Sequence, residues 1–256
     1  MSGLSSEQLD ELEECVAALL EAPWDSGIGR PRELTLREAI IVSAGYARHN
    51  IIEEVWAEIF DTSQPTISRV ITDITPLIER ATAEFRPAAE GAKAAVRGQT
   101  VLVDGFLAPC WSWRGIPALW SGKHKTTGFN SQVISDLAGD VVFVSEPITG
   151  HSHDMTVLRE TETAEVIAAA FSGIADKGYQ GSGYITPIKK SEHRELLEWE
   201  KKFNADVSRL RAPVERAIAH IKSWRILHTD YRRPLRTYLS SFRAAIGLYF
   251  FKLTFE

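Results

Sequence analysis

Asp104, Asp176 and Glu215 are the side chains of this 256-residue sequence whose surroundings best suit catalysis. Asp104 closes the apolar run Thr100-Val101-Leu102-Val103 and precedes Gly105. Asp176 closes Phe171-Ser172-Gly173-Ile174-Ala175 and opens Lys177-Gly178-Tyr179. Glu215 lies within an amphipathic helical stretch, residues 207–224. Two acids at strand ends and one on a helix can hold a pair of hard divalent cations, which take oxygen ligands. Two such ions clamp the entering and leaving oxygens of a phosphoryl transfer, the chemistry that cuts or joins nucleic acid. Singly, each acid also has a structural use: a turn cap for the two aspartates, a solvated helical charge for Glu215. Their conjunction carries the catalytic reading.

The Glu215 helix supplies cations. Arg211 lies four residues before it and Lys222 seven after, so a regular helix presents all three on one face. An Arg211–Glu215 ion pair on a solvated helix contributes about 0.3 kcal/mol. The functional alternative sets Arg211 and Lys222 on DNA phosphates beside Glu215. Lys123, His124 and Lys125 form a short basic cluster, a second phosphate contact or the solvated start of a strand. Trp111, Trp113 and Trp120, with Arg114 among them, can stack on unpaired bases or pack under a loop. His153 and Asp154 are a further candidate pair, and Asp154 can also cap a helix beginning at Met155.

From residue 99 onward the patterning predicts the elements that must position these groups. Strands are expected at 99–104, 128–137, 141–146, near 172–176 and at 184–188, with helices at 155–171, 191–224 and 239–250. That order is the order of an RNase H-like mixed α/β sheet. Upstream, helical spacing predicts helices at 5–21, 35–48, 51–60 and 65–78, with another over 76–95 broken by Pro87. Residues 24–31 read as a linker. The expected division is a helical region, 1–97, and a catalytic domain, 98–256.

Residues 51–78 resemble a helix-turn-helix, within a module of about 35–80. Its tight turn, Asp61-Thr62-Ser63-Gln64, leads into Pro65 at the first helical position. Thr66, Ser68 and Arg69 then stand where a recognition helix meets base edges or phosphates. A plain three-helix subdomain is the alternative.

Charge is unevenly distributed. Residues 1–97 carry 9 Lys and Arg against 17 acids, 98–183 carry 5 against 9, and 184–256 carry 15 against 8. Because phosphate neutralisation is local, the basic last third suits DNA even though the net charge is −5. No apolar run reaches the ~20 residues that span a bilayer, and no signal peptide opens the chain. Cys15 and Cys110 stand apart with no metal-ligand spacing. A cytoplasmic protein without a small-molecule cofactor is expected.

Five blocks occur in order: Val103-Asp104-Gly105; Trp120-Ser121-Gly122-Lys123-His124-Lys125; Gly150-His151-Ser152-His153-Asp154; Ala175-Asp176-Lys177-Gly178-Tyr179; and Arg211, Val214-Glu215-Arg216 with Lys222. Together they resemble the DDE-superfamily insertion-sequence transposases, within the group that includes PIF/Harbinger-like elements. The resemblance spans about residues 35–250. It implies a catalytic triad of Asp104, Asp176 and Glu215 holding two Mg2+ ions, with Mn2+ able to substitute. It further implies DNA contacts by Arg211, Arg216, Lys222, Lys123 and Lys125, and a place near the pocket for His153 and Asp154. The expected substrates are the element's terminal inverted repeats and target DNA, bound by a homo-oligomer at the nucleoid of a prokaryotic cell. Ser208 departs from the pattern, standing where such proteins often carry Tyr. A transposase-derived DNA-binding regulator and a metal-dependent endonuclease without strand transfer are the alternatives.

Overall fold

The computed structural model describes residues 1–25, 31–111 and 115–255. The expectations for Trp113 and Arg114, and for most of the 24–31 linker, lie outside the described residues.

Four helices come first: α1 (Ser6–Ala18), α2 (Leu36–His49), α3 (Glu53–Ile59) and α4 (Gln64–Ala81). A short α5 (Ala89–Ala95) leads into the strands β1 (Thr100–Pro109), β2 (Trp120–Ser121), β3 (Thr126–Ser135), β4 (Val141–Val144) and β5 (Ile148–Thr149). Helices α6 (Asp154–Glu160) and α7 (Thr163–Ala169) carry the chain to β6 (Ser172–Ile174). The long α8 (Glu198–Ile221) and then α9 (Tyr238–Leu253) follow. The result is a mixed α/β protein. No described helix is long and apolar enough to cross a membrane.

Two compact units form, Met1–Arg86 with Lys222–Glu256, and Pro87–Ile221. The sequence places one division, between 97 and 98; packing instead divides the chain after Arg86 and again after Ile221. The difference lies in α5, which joins the sheet core, and in α9, which packs on α4.

The first unit is helical. Ser5 and Thr35 each open a helix with a capping box, answered by Gln8 and Glu38, which satisfies backbone donors that a helix start leaves unpaired. Along α4, Ile67, Val70, Ile71, Ile74 and Ile78 are buried at helical spacing, and the helix packs against α2 and α9. Each fully buried Ile contributes roughly 2 kcal/mol. Residues 60–63 link α3 to α4, with Asp61 in the left-handed region and Ser63 accepting from the Thr66 amide. The helix expected over 76–95 does not form as one piece. The Thr82 hydroxyl donates back to the Ile78 carbonyl, and a helical turn at Ala83–Phe85 precedes Pro87.

The second unit is built around a mixed sheet ordered β2-β3-β1-β6, in which β3 also pairs with β4 and β5. β1 and β3 run antiparallel from Leu102↔Ser135 to Pro109↔Gly128, so β1 continues well past Asp104. Asp104 is therefore inside a strand, not at its end. Gly105 reads as a turn in the sequence, yet β3 supplies partners for the whole run. Val101 and Val103 face a core shared with α5, α6, α7 and Tyr179. The alternate residues of β1 face α8.

Three further expectations change. The helix expected over 155–171 is two helices, because Thr161 is extended and its hydroxyl donates to the Val157 carbonyl. No strand forms over 184–188 beyond the single bridge Ile174↔Ile185. Pro187 lacks an amide donor there, and the Asn204 side chain takes both the amide and the carbonyl of Ile188. The helix expected over 191–224 begins only at Glu198, where Arg194 and the Leu197 amide both donate to the Glu200 carboxylate.

Candidate active site

β1 and β6 are parallel and pair only from Thr100↔Ser172 to Leu102↔Ile174. Two residues further along each chain stand Asp104 and Asp176, at equivalent positions beyond the last shared rung. β6 ends there, with Ile185 paired to it at Gly173 and Ala175, and β1 runs on past the last rung it shares with β6. The carboxyl ends of parallel strands are a recurrent binding position in α/β sheets. The two acids read from the sequence are brought together by strand register.

Asp104 is mostly buried. Its Oδ1 accepts from the Gly105 amide at 2.9 Å and its Oδ2 from Arg211 Nη2 at 2.7 Å. Burial pushes its carboxyl up to about 6; Arg211, the Gly105 amide and Lys123 oppose that shift, while the Asp176 charge adds to it. Asp176 precedes the helical turn Lys177–Tyr179 and accepts from the Gly178 amide at 2.7 Å.

Arg211 occupies an unexpected position. The sequence set it against DNA phosphates, but its side chain is only 10% exposed and rests on Asp104. Its other terminal nitrogen lies 3.7 Å from Glu215, whose side chain is 60% exposed. Asp104 and Glu215 thus flank one guanidinium. Arg216 is exposed on the same helix, and Ser208, where Tyr is usual, is exposed as well. Helix α8 ends at Ile221, so Lys222 falls in the turn beyond it and not within a continuous helical face.

Asp154 reaches the site from α6. The expected helix start shifts by one: His153 holds the N-cap position and Asp154 is the first helical residue, so Asp154 is not the cap. Its Oδ2 accepts from Lys123 Nζ at 2.9 Å, while its backbone carbonyl accepts from Gln132 Nε2 at 2.8 Å. Two glycines leave room for this carboxylate. A Cβ at Gly105 would sit 3.1 Å from Asp154 Oδ1. One at Gly178 would sit 2.4 Å from Asp154 Oδ2 and 2.9 Å from Asp176 Oδ1. His153, His124 and Lys125 are exposed. Burial draws the Lys123 ammonium down, but its hydrogen bond to Asp154 and the fields of Asp154, Asp176 and Asp104 leave it raised overall.

Gln132 and Tyr179 went unassigned in the sequence. Gln132 lies opposite Gly105 in the ladder and also donates to the Tyr179 hydroxyl at 2.9 Å. Burial raises the Tyr179 phenol well above its ordinary value, and Asp154, Asp104 and Asp176 add to the shift. Little in the sequence signals Gln132: a buried glutamine needs polar partners, but Asn130, Ser131 and Ser135 of the same strand are polar as well and do not single it out. Trp111 and Trp120 are both exposed at the far end of the sheet, where Trp120 pairs with Thr127 and the Thr127 hydroxyl lies 3.4 Å from the Trp111 carbonyl.

The donors gathered here are carboxylate oxygens, with a cradle at Gly178 that any Cβ would fill, and this chemistry fits hard divalent cations. Among the described residues, no three such side chains already surround one point. Two carboxylates instead carry cationic side chains, Arg211 on Asp104 and Lys123 on Asp154.

Comparison with known proteins identifies the lineage. The family model described as a DDE superfamily endonuclease matches residues 103–249, more than half of the chain. A putative transposase for insertion sequence element IS112 of Streptomyces albus G is 28% identical over 229 residues, covering 88% of this chain and 83% of that protein. A probable transposase for insertion sequence element IS702 of Microchaete diplosiphon is 35% identical over 142 residues, 54% of this chain; the match spans 51% of that relative's length. No solved structure matches. Asp104, Asp176 and Glu215 all fall inside the matched span, and the chain belongs to the DDE-superfamily endonucleases, with transposases of insertion sequences among its relatives.

Proposed function

We propose that this protein cuts DNA at the ends of its element by metal-dependent hydrolysis and joins the freed ends to target DNA by transesterification. The observation that carries the reading is the register of β1 and β6, which sets Asp104 and Asp176 side by side just beyond the last rung the strands share. Asp104, Asp176 and Glu215 would hold two Mg2+ ions, with Mn2+ able to replace them. When bound, such ions supply Lewis acidity at the phosphate and lower the pKa of a coordinated water.

In the first step water adds to the scissile phosphorus and the bond to the 3′-oxygen breaks, leaving a 3′-hydroxyl and a 5′-phosphate. In the second, that 3′-hydroxyl attacks a target phosphodiester and displaces the target's own 3′-oxygen. Neither step needs a covalent enzyme intermediate, and no Ser or Tyr is assigned as nucleophile. Asp104, held between Arg211 and the Gly105 amide, presents a fixed carboxylate edge. Exposed Arg216 and Lys125, together with Lys123 and Lys222, are the proposed phosphate contacts.

We take the sheet to be RNase H-like. The antiparallel strands β1, β3 and β4, followed after two helices by a strand parallel to β1, support that assignment, as does the reduced bridge at Ile185. We also take residues 35–80 as a helix-turn-helix that recognises the inverted repeats, and the chain as a homo-oligomer on DNA, within the PIF/Harbinger-like group. In this module Arg69 is exposed and lies against Pro65 and Thr66 at the start of α4. Arg69→Ala should weaken binding to an element-end duplex roughly tenfold, read by fluorescence anisotropy at fixed salt, while nicking of unrelated DNA persists. Unchanged end binding would remove α4 from recognition.

A cleavage assay on duplexes carrying the element's own flanks tests the whole reading. Nicks at the element end and joined products are expected with Mg2+ or Mn2+ and not with chelator. Nicks without joined products would restrict the protein to endonuclease chemistry.

A further inference from the structure

We propose that Asp154 is a fourth carboxylate of the catalytic centre, sharing a divalent ion with Asp176, and that Lys123 is its counter-ion while no metal is bound. The inference rests on the metal-dependent reading above and deepens it.

The geometry starts from Gly178. A single point there, its absent Cβ, lies 2.4 Å from Asp154 Oδ2 and 2.9 Å from Asp176 Oδ1, so the two carboxylates are near neighbours with no side chain between them. The other oxygen of Asp154 leans against Gly105, the residue next to Asp104. Neither glycine has a left-handed φ, so backbone conformation does not demand glycine at either position. Space for the Asp154 carboxylate does.

The carboxylate is also held in place from behind. Gln132 is 1% exposed and donates to the Asp154 carbonyl, which fixes the start of α6 against β3. A carboxylate that served only to begin a helix would need no such clearance and could face solvent. This one is 16% exposed, and its charged partner among the described residues is Lys123, which is 53% exposed at the turn between β2 and β3. An ammonium on an exposed hairpin can swing away at little cost, because its bond to Asp154 is half solvated. Glu215, by contrast, stands across the Arg211 guanidinium from Asp104. Asp154 is thus the acid that shares the Gly178 clearance with Asp176, and the cation beside it is the half-exposed Lys123 and not the buried Arg211.

Titration of the full-length protein with Mn2+, followed by electron paramagnetic resonance of the free ion, tests this without any DNA. Asp154→Asn is nearly isosteric and keeps the carbonyl that Gln132 uses. It should weaken Mn2+ binding at least about tenfold, as should Asp104→Asn. Lys123→Gln should tighten binding, because a competing cation is gone. Gly178→Ala keeps every carboxylate but fills the cradle, so it should weaken binding as well; thermal melting confirms that each variant is folded. Should Asp154→Asn and Lys123→Gln both bind Mn2+ like the parent while Asp104→Asn does not, Asp154 is a structural residue only. Should Asp104→Asn also bind like the parent, the metal-dependent reading falls, and this inference with it.

Discussion

Asp104→Asn is expected to slow Mg2+-dependent nicking about a thousandfold, because loss of a metal-binding carboxylate removes several kcal/mol of transition-state stabilisation at ~1.4 kcal/mol per decade. Affinity for an element-end duplex should stay within about twofold, since the charge removed is not a DNA contact. The measurement is a single-turnover nicking assay alongside a binding titration at the same salt. Residual cleavage within tenfold of the parent would take Asp104 out of the chemistry. The asparagine keeps the strand and the Gly105 hydrogen bond geometrically possible, so a large loss reports on the oxygen donor and not on the fold.

The same side chain has a second large effect, on stability in the absence of metal. Asp104 titrates at about 6 in the folded protein against 3.8 for the unfolded reference. A carboxyl with a raised folded pKa favours the native state when protonated. Its contribution is fully present below pH 3.8 and is lost as the pH rises through about 6. Two pKa units correspond to roughly 3 kcal/mol, an order-of-magnitude figure for a mostly buried group. Denaturant melts of the metal-free parent and of Asp104→Asn, taken between pH 4 and 7, should diverge with the parent falling by about that amount relative to the variant. Mn2+ should recover the loss in the parent alone, because only the parent presents the carboxylate. Parallel pH profiles for the two proteins would show that burial does not tax this carboxyl. A stability cost of this kind is the usual trade for a group placed to do chemistry, which is the role proposed for Asp104.

Much of this was legible in the sequence because it depends on local pattern. Helical spacing located α1 to α4 within a few residues, since Ile67, Ile71, Ile74 and Ile78 can face one core only as a helix. Asp104 and Asp176 were found because an acid following an apolar run is conspicuous. What could not be read depends on pairing between distant segments. That β1 outruns Asp104 is a property of β3, not of residues 100–109. The bond from Arg211 to Asp104 joins positions 107 residues apart, so helical spacing assigned Arg211 to solvent and DNA. The missing strand at 184–188 follows from an asparagine sixteen residues downstream of Ile188. Asp154 was read as a cap because Met155 opens the apolar periodicity; only the backbone angles at His153 move the helix start back by one residue.

The discontinuity of the helical unit bears on how the protein is made. Met1–Arg86 is made before the sheet unit, yet the helix that packs along α4, Tyr238–Leu253, is made after it. Until then the isoleucine row of α4 lacks one of its covers, and the chain carries an apolar face through most of its synthesis, the period when chaperones act on exposed surface. The sheet unit between them, Pro87–Ile221, is continuous in sequence. Translation therefore delivers the whole sheet unit before the helical unit is complete, and a message truncated after residue 221 would encode the sheet and α8 without a finished helical partner.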